Sequence, residues 1–111
     1  MKDKTVILRQ LNDAFRKAGL SGKTVLTEGV CDLGGIMLHK IRAAIAAYDG
    51  FSKDEGNDPY GEHDFGSVQI DDHKIFWKID YYNPDMLHGS ENPADPNVTV
   101  RVMTIMLASE Y

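Results

Sequence analysis

The chain has 111 residues, of which 42% are hydrophobic and 26% are charged, and this is the composition of an ordinary globular domain. A chain of this length can bury one core without metal or disulfide staples, so we expect a single domain over residues 1–111. The single cysteine excludes an intramolecular disulfide, and no apolar run approaches the roughly 20 residues of a membrane helix. With no secretory signal either, we expect a cytoplasmic protein without membrane contact.

The net charge of −5 divides into two opposite parts. Residues 1–48 carry eight basic and four acidic residues, whereas residues 49–97 carry three lysines and twelve acidic residues. An acidic surface repels nucleic-acid phosphates and attracts basic surfaces. The second part therefore indicates a basic protein partner and no direct nucleic-acid binding, although a merely solvated acidic loop is the simpler interpretation.

The first predicted element is an amphipathic helix that ends at Gly19. Its apolar residues recur at helical spacing, with Leu8 and Phe15 on the inner face and Asp13 and Arg16 outside it. Residues 24–30 then predict a strand.

The second helix is predicted over residues 37–48, with a glycine C-cap at Gly50 and an apolar contact from Phe51. Two alternating segments at 65–70 and 74–82 predict a β-hairpin.

Residues 83–97 contain three prolines and predict a long surface connection. The last strand, over residues 98–108, is apolar on both sides and predicts a central position in the sheet. The order αβαβββ predicts an α+β fold: a mostly antiparallel sheet of about four strands, with two helices packed on one face.

Residues 57–66 concentrate acids, a histidine and a phenol in one turn. A histidine flanked by carboxylates can act as a general base, which allows a small hydrolase or a metal-assisted enzyme. The alternative interpretation is structural, with these side chains bonding backbone groups to hold the loop. The candidate catalytic residues are His63 as the base, Glu62 or Asp64 to orient it, and Lys78, Asp80 or Arg101 to position a substrate.

None of the four histidines has the spacing of a zinc ligand, so the sequence predicts no metal site and no cofactor.

Four stretches, at residues 11–16, 57–66, 76–82 and 101–111, resemble a family of short single-domain bacterial proteins of unknown function. Its specific motifs are Asn-Asp-Pro-x-Gly-Glu-His-Asp-Phe-Gly and Trp-Lys-Ile-Asp-Tyr-Tyr. The family is found mostly in alphaproteobacteria, often beside genes of plasmids and integrative elements. Such elements carry small acidic proteins that block restriction or CRISPR nucleases, and the resemblance implies this class of function by analogy. It implies no activity, cofactor or catalytic residue.

We therefore expect a non-enzymatic binding protein that presents its acidic region to a basic surface, such as a nucleic-acid-processing defence complex. The expected partner-binding residues are Asp54, Glu55, Asp58, Glu62, Asp71, Asp72, Asp85, Glu91 and Asp95. The hydrolase centred on His63 is the alternative, and self-association into a homo-oligomer is a third hypothesis.

Overall fold

A computed structural model describes residues 3–19, 22–51 and 58–111, and three α-helices and four β-strands lie within these ranges. They are α1 (Lys4–Ala18), β1 (Gly22–Leu26), α2 (Glu28–Cys31), α3 (Gly35–Ala47), β2 (Phe65–Ile70), β3 (His73–Tyr82) and β4 (Val100–Leu107). Short 3-10 turns at Pro96–Val98 and Ala108–Glu110 flank β4. None of the helices in the described ranges combines the length and the apolarity that crossing a bilayer requires.

The ends of the two long helices follow different rules. Asp3 caps the start of helix α1, where its side chain accepts a hydrogen bond from the Thr5 amide at 2.7 Å, and Gly19 caps the end as predicted. Gly19 has a left-handed backbone with φ of 69°, a conformation that glycine adopts without strain. The predicted glycine C-cap of α3 is wrong, because the helix ends at Tyr48 in an extended conformation. Phe51 still packs edge-on against Tyr48.

The predicted strand over residues 24–30 is only half strand, because the chain turns into the short helix α2 after Leu26. A contact from the far end of the chain stabilises this helix start: the Glu110 carboxylate accepts hydrogen bonds from the Thr27 hydroxyl at 2.6 Å and the Gly29 amide at 3.1 Å. These hydrogen bonds lower the pKa of Glu110, with the Thr27 bond as the largest cause. The helix therefore depends on a partner that lies more than 80 residues away in sequence.

The four strands form one sheet in the order β1-β4-β3-β2. The β2–β3 hairpin and the central position of β4 are confirmed. The fold is α+β, but the prediction of a mostly antiparallel sheet is wrong, because β1 pairs with β4 in parallel and the sheet is mixed. The prediction of two helices packed on one face is also wrong, because the described residues form three helices and these are not clearly packed on one face. Helices α2 and α3 separate β1 from the β2–β3 hairpin, so no short turn forces β1 to run antiparallel to its neighbour in the sheet.

The hydrophobic core lies where alternate residues of β3 and β4 meet the helices. Strand side chains alternate between the two faces, so Ile75, Trp77 and Ile79 of β3 lie on one face of the sheet. Trp77 is completely buried there. The buried core members are Phe15, Val30, Ile41, Ile45, Ile75, Trp77, Ile79, Met103 and Ile105.

Candidate functional site

Helix α1 buries two polar side chains, Asn12 and Arg16, on the same stripe as Leu8 and Phe15. These residues follow the spacing i, i+4, i+7, i+8, so a single helix face carries all four into the protein. The sequence prediction placed Arg16 on the outer face because charged side chains are rarely buried. Its buried position is therefore a correction, and buried polar groups of this kind require partners.

Asn12 uses its whole amide to join the helix to the sheet. Its Oδ1 accepts a hydrogen bond from Nε of Arg101 at 2.8 Å. Its Nδ2 donates to the hydroxyl of Tyr81 at 2.8 Å and to the backbone carbonyl of Glu62 at 3.0 Å. The sequence carried no signal for this role, because an isolated asparagine in a helix is usually a surface residue.

The guanidinium of Arg101 is buried without a carboxylate partner among the described residues. It donates to the carbonyl of Pro93 and lies over the ring of Tyr81, 5.3 Å from the ring centroid. Burial lowers the pKa of Arg101 and raises that of the Tyr81 hydroxyl. Neutral oxygens and an aromatic face thus solvate this cation, and it ties the Pro93 segment to the sheet.

Glu62 and Asp64 form a carboxyl pair beside the Tyr81 hydroxyl, which donates to Oε2 of Glu62 at 3.4 Å. Burial raises the pKa of Asp64 to about 6, and the charge and hydrogen bond of Glu62 add to the effect. Two carboxylates this close cannot both ionise at low cost, so the pair retains a proton in mildly acidic solution.

His63 lies at the edge of a cleft of about 310 Å³ between the end of α1 and the segment after α3. Its Nδ1 lies 3.0 Å from Oδ1 of Asp13, and its Nε2 lies 3.6 Å from Oδ2 of Asp58. The ring stacks on Phe51 with a centroid separation of 3.8 Å. The residue has φ of 56°, a left-handed conformation that costs a non-glycine residue about 1 kcal/mol.

Arg16 and His63 meet at Asp13, which both residues contact through one carboxylate oxygen at 3.0 Å. Burial by itself raises the pKa of Asp13, but the hydrogen bonds with His63 and Arg16 outweigh it and lower the pKa. Nη1 of Arg16 also donates to the carbonyls of Ile45, Ala46 and Tyr48, which satisfies the C-terminal end of α3. The Asp13–His63 contact therefore belongs to a cluster that joins α1, α3 and the 58–66 segment.

The structure does not bring the candidate catalytic residues together in one cleft. His63 faces Asp13, whereas Lys78 and Asp80 pair with each other at 3.5 Å on the opposite face of the sheet from Trp77. Arg101 shares a face with Tyr81, so the expected grouping of Lys78, Asp80 and Arg101 is wrong. The described part of the chain also groups no three His, Cys, Asp or Glu side chains that suit a metal ion.

The predicted partner-binding acids divide into several places. Asp54 and Glu55 lie outside the described residues. Asp58 is buried and accepts a hydrogen bond from the His63 amide at 3.1 Å. Glu62 is half-buried and accepts a hydrogen bond from the Tyr81 hydroxyl at 3.4 Å. Asp71 and Asp72 form the exposed hairpin turn before β3, whereas the last three acids follow its other end. These acids are Asp85, Glu91 and Asp95. Since β3 has ten residues, the two groups lie about 30 Å apart and do not form one patch.

The connection from β3 to β4 begins with a tight turn over residues 83–89, which we call the 83–89 turn. The Asn83 amide donates to the His88 carbonyl at 2.8 Å, and the Met86 amide donates to the Asn83 carbonyl at 2.9 Å. Asp85 accepts from the Leu87 amide at 2.8 Å and contacts Nδ1 of His88 at 3.1 Å. These bonds lower the pKa of Asp85, the Leu87 bond most strongly. The turn leaves Leu87 80% exposed, while Met86 has a left-handed φ of 62°.

One family model matches the chain over residues 26–110, and its description is "Protein of unknown function (DUF3768)". The match begins at the last residue of β1, so α1 and the 11–16 stretch lie outside it. No curated protein matches the chain. No solved structure matches it either.

Proposed function

We propose that this chain, which belongs to the DUF3768 family of proteins of unknown function, is a binding protein that docks through its 83–89 turn. The observation that carries the proposal is the exposure of Leu87 on a turn whose backbone is held by its own hydrogen bonds. A large apolar side chain costs free energy in water, and a protein partner would recover that cost by covering it.

The 83–89 turn is organised before any partner binds. Asp85 caps its tip, and Asn83 accepts from the amide of Glu91 through its side-chain oxygen at 3.3 Å. Tyr82 and Gly89 pair as a β-bridge at its base. A rigid loop loses little conformational entropy on binding, so more of its contact energy contributes to affinity.

The charges around the turn indicate the chemistry of the partner. Asp85 and Glu91 are both exposed, and the ring of His88 is the only basic side chain that Asp85 contacts among the described residues. An apolar anchor beside acids suits a surface that combines lysines or arginines with an apolar cleft. The nucleic-acid channel of a restriction or CRISPR nuclease is basic because it binds phosphates, so such a defence complex is the partner class that we propose.

The first test measures binding of the purified protein to reconstituted restriction and CRISPR nuclease complexes, at low and at high salt. Leu87→Ser removes the anchor, and Ile36→Ser is its matched control because Ile36 is 82% exposed on α3. We expect Leu87→Ser to weaken binding at least about tenfold, as for an interface hot spot, and Ile36→Ser to have no effect. Equal binding by both variants and the wild type would exclude the 83–89 turn as the docking element.

A second pair of variants tests the electrostatic part of the proposal. Glu91→Lys reverses a charge next to the 83–89 turn, whereas Asp72→Lys reverses one at the hairpin, at the other end of β3. We expect weaker and less salt-dependent binding for Glu91→Lys alone. Equal loss in the two variants would instead indicate attraction by net charge, and light scattering of the free protein would reveal self-association through the same surface.

The second candidate is acid–base hydrolysis centred on His63, which the 3.0 Å contact between Nδ1 and Asp13 at an open cleft favours. A carboxylate at Nδ1 orients the ring and stabilises the imidazolium that forms when the other nitrogen takes a proton. Screening ester and phosphoester substrates with the wild type and with His63→Gln tests it. Turnover that survives the substitution would eliminate His63 as the base.

A further inference from the structure

A second, larger cavity of about 330 Å³ lies between α1, α3 and the sheet, and we call it the α1–α3 cavity. Its apolar wall consists of core residues that are accessible between the two helices. They are Phe15, Ile45, Met103 and Ile105. Ligand pockets in proteins begin at about 300 Å³, so this cavity suits a small molecule and not a large cofactor.

Helix α3 contributes two alanines to the lining of the cavity. His39, Arg42, Ala43 and Ala46 all line it and follow the spacing i, i+3, i+4, i+7, so they share one face of α3. The two alanines leave the space that a leucine or methionine at the same positions would occupy. The side chains of His39 and Arg42 lie at the outer rim of the cavity, where they are exposed.

The rim of the cavity is basic. Lys17 from α1 joins His39 and Arg42, and none of the three side chains forms an ion pair or a hydrogen bond with any residue that the structure describes. The described lining includes no aspartate or glutamate. Thr24 of β1 adds a hydroxyl that can donate a hydrogen bond.

We propose that the α1–α3 cavity is a binding site for a small amphipathic carboxylate, such as a medium-chain fatty acid or an aromatic acid. The apolar body lies against Phe15 and Met103, and the carboxylate lies at the rim between Lys17 and Arg42. Charge complementarity selects this ligand over a neutral or cationic molecule, because basic side chains that pair with no carboxylate of the described residues stand at the rim of a mainly apolar wall. The site does not involve the 83–89 turn, so a negative result for the docking function would not affect this proposal.

The test titrates the protein with octanoate and records the methyl resonances of Ala46 and Met103 by NMR, with affinity measured by calorimetry. Octanol and octylammonium are the neutral and cationic probes of the same chain length. We expect saturable shifts at both methyl groups with octanoate, weaker binding of octanol and no binding of octylammonium.

Three variants separate the cavity from general surface effects. Ala46→Leu fills the cavity and should abolish binding, with circular dichroism used to confirm that the fold is kept. Arg42→Gln is at an exposed position, so it keeps the fold and should weaken octanoate about tenfold, the effect of losing one charge-assisted hydrogen bond. Lys40→Gln removes an exposed charge of α3 outside the cavity and should leave the affinity unchanged.

Three results would overturn the proposal. The first is the absence of saturable methyl shifts with octanoate in the wild type. The second is equal binding of octanoate and octanol, and the third is an equal effect of Arg42→Gln and Lys40→Gln on octanoate affinity. Either of the last two would show that the rim charges do not select the ligand. Binding of octanol alone would identify the cavity as a site for an apolar group, such as a side chain of a protein partner.

Discussion

Arg101 of β4 donates from its Nε to Oδ1 of Asn12 in α1, across a sequence separation of 89 residues. Both side chains are buried, and the cation has no carboxylate partner within the described ranges. Since Asn12 also bonds Tyr81 and the backbone at Glu62, this one amide joins the first helix to two strands and to the 58–66 segment.

Replacing Asn12 with alanine should lower the free energy of unfolding by about 2 to 4 kcal/mol, because a buried charged donor loses its acceptor. Urea denaturation of the wild type and the variant measures the difference. Lys4→Ala, at an exposed position of the same helix, should change it by less than about 0.5 kcal/mol. Equal stabilities of the two variants would show that water replaces the Asn12 contacts at no cost.

The raised pKa of Asp64 makes stability depend on pH. The unfolded carboxyl has the ordinary pKa of 3.8, whereas the folded one has a pKa of about 6 because of burial and of Glu62. Between these two values the folded state binds more protons, so the contribution of Asp64 to stability falls as pH rises. Asp64→Asn removes the cost of ionisation and should stabilise the protein at pH 7.

Because Asp64 is only half-buried and water screens its charge, we expect a gain of about 1 kcal/mol at pH 7 that vanishes near pH 4. Denaturation curves across this range measure it. Glu110→Gln is the control of opposite sign, because hydrogen bonds lower the pKa of Glu110 and its contribution to stability is therefore lost as pH falls. A constant difference between Asp64→Asn and the wild type at every pH would contradict the assignment.

His63→Ala should raise the pKa of Asp13. Burial favours the protonated carboxyl, and the hydrogen bonds with His63 and Arg16 currently outweigh it, so the loss of His63 leaves burial less opposed. The side-chain carbon shift of Asp13, followed by NMR through an acid titration, reports this pKa directly. His88→Ala is the matched control, because it should raise the pKa of Asp85 and leave Asp13 unchanged.

Gly66 of β2 has no room for a side chain. A Cβ there would lie 2.7 Å from ring atoms of Trp77, which is completely buried and cannot move aside. Gly66→Ala should therefore lower the free energy of unfolding by about 1 to 3 kcal/mol. Gly35→Ala, where a Cβ meets nothing within 4 Å at the start of α3, should be neutral or slightly stabilising. Thermal unfolding of both variants distinguishes a steric clash with Trp77 from a general effect of replacing glycine with alanine.

Features with a local cause could be predicted from the sequence. The spacing of apolar residues predicted α1 and α3, and alternation predicted the β2–β3 hairpin with its turn at Asp71 and Asp72. Apolar residues on both sides of the last segment predicted its central place in the sheet. The 58–66 segment was singled out by its composition, and the structure shows that its side chains contact α1.

Contacts between distant segments were decided only by the tertiary structure. The parallel pairing of β1 with β4, the Glu110 contacts that support α2, and the burial of Asn12 against Arg101 each join residues more than 70 positions apart. Separation of the acids to opposite ends of β3 and the α1–α3 cavity are consequences of the same packing. The physical reason is that periodicity reports which side of its own element a residue occupies, whereas the partner it meets depends on how the elements pack together.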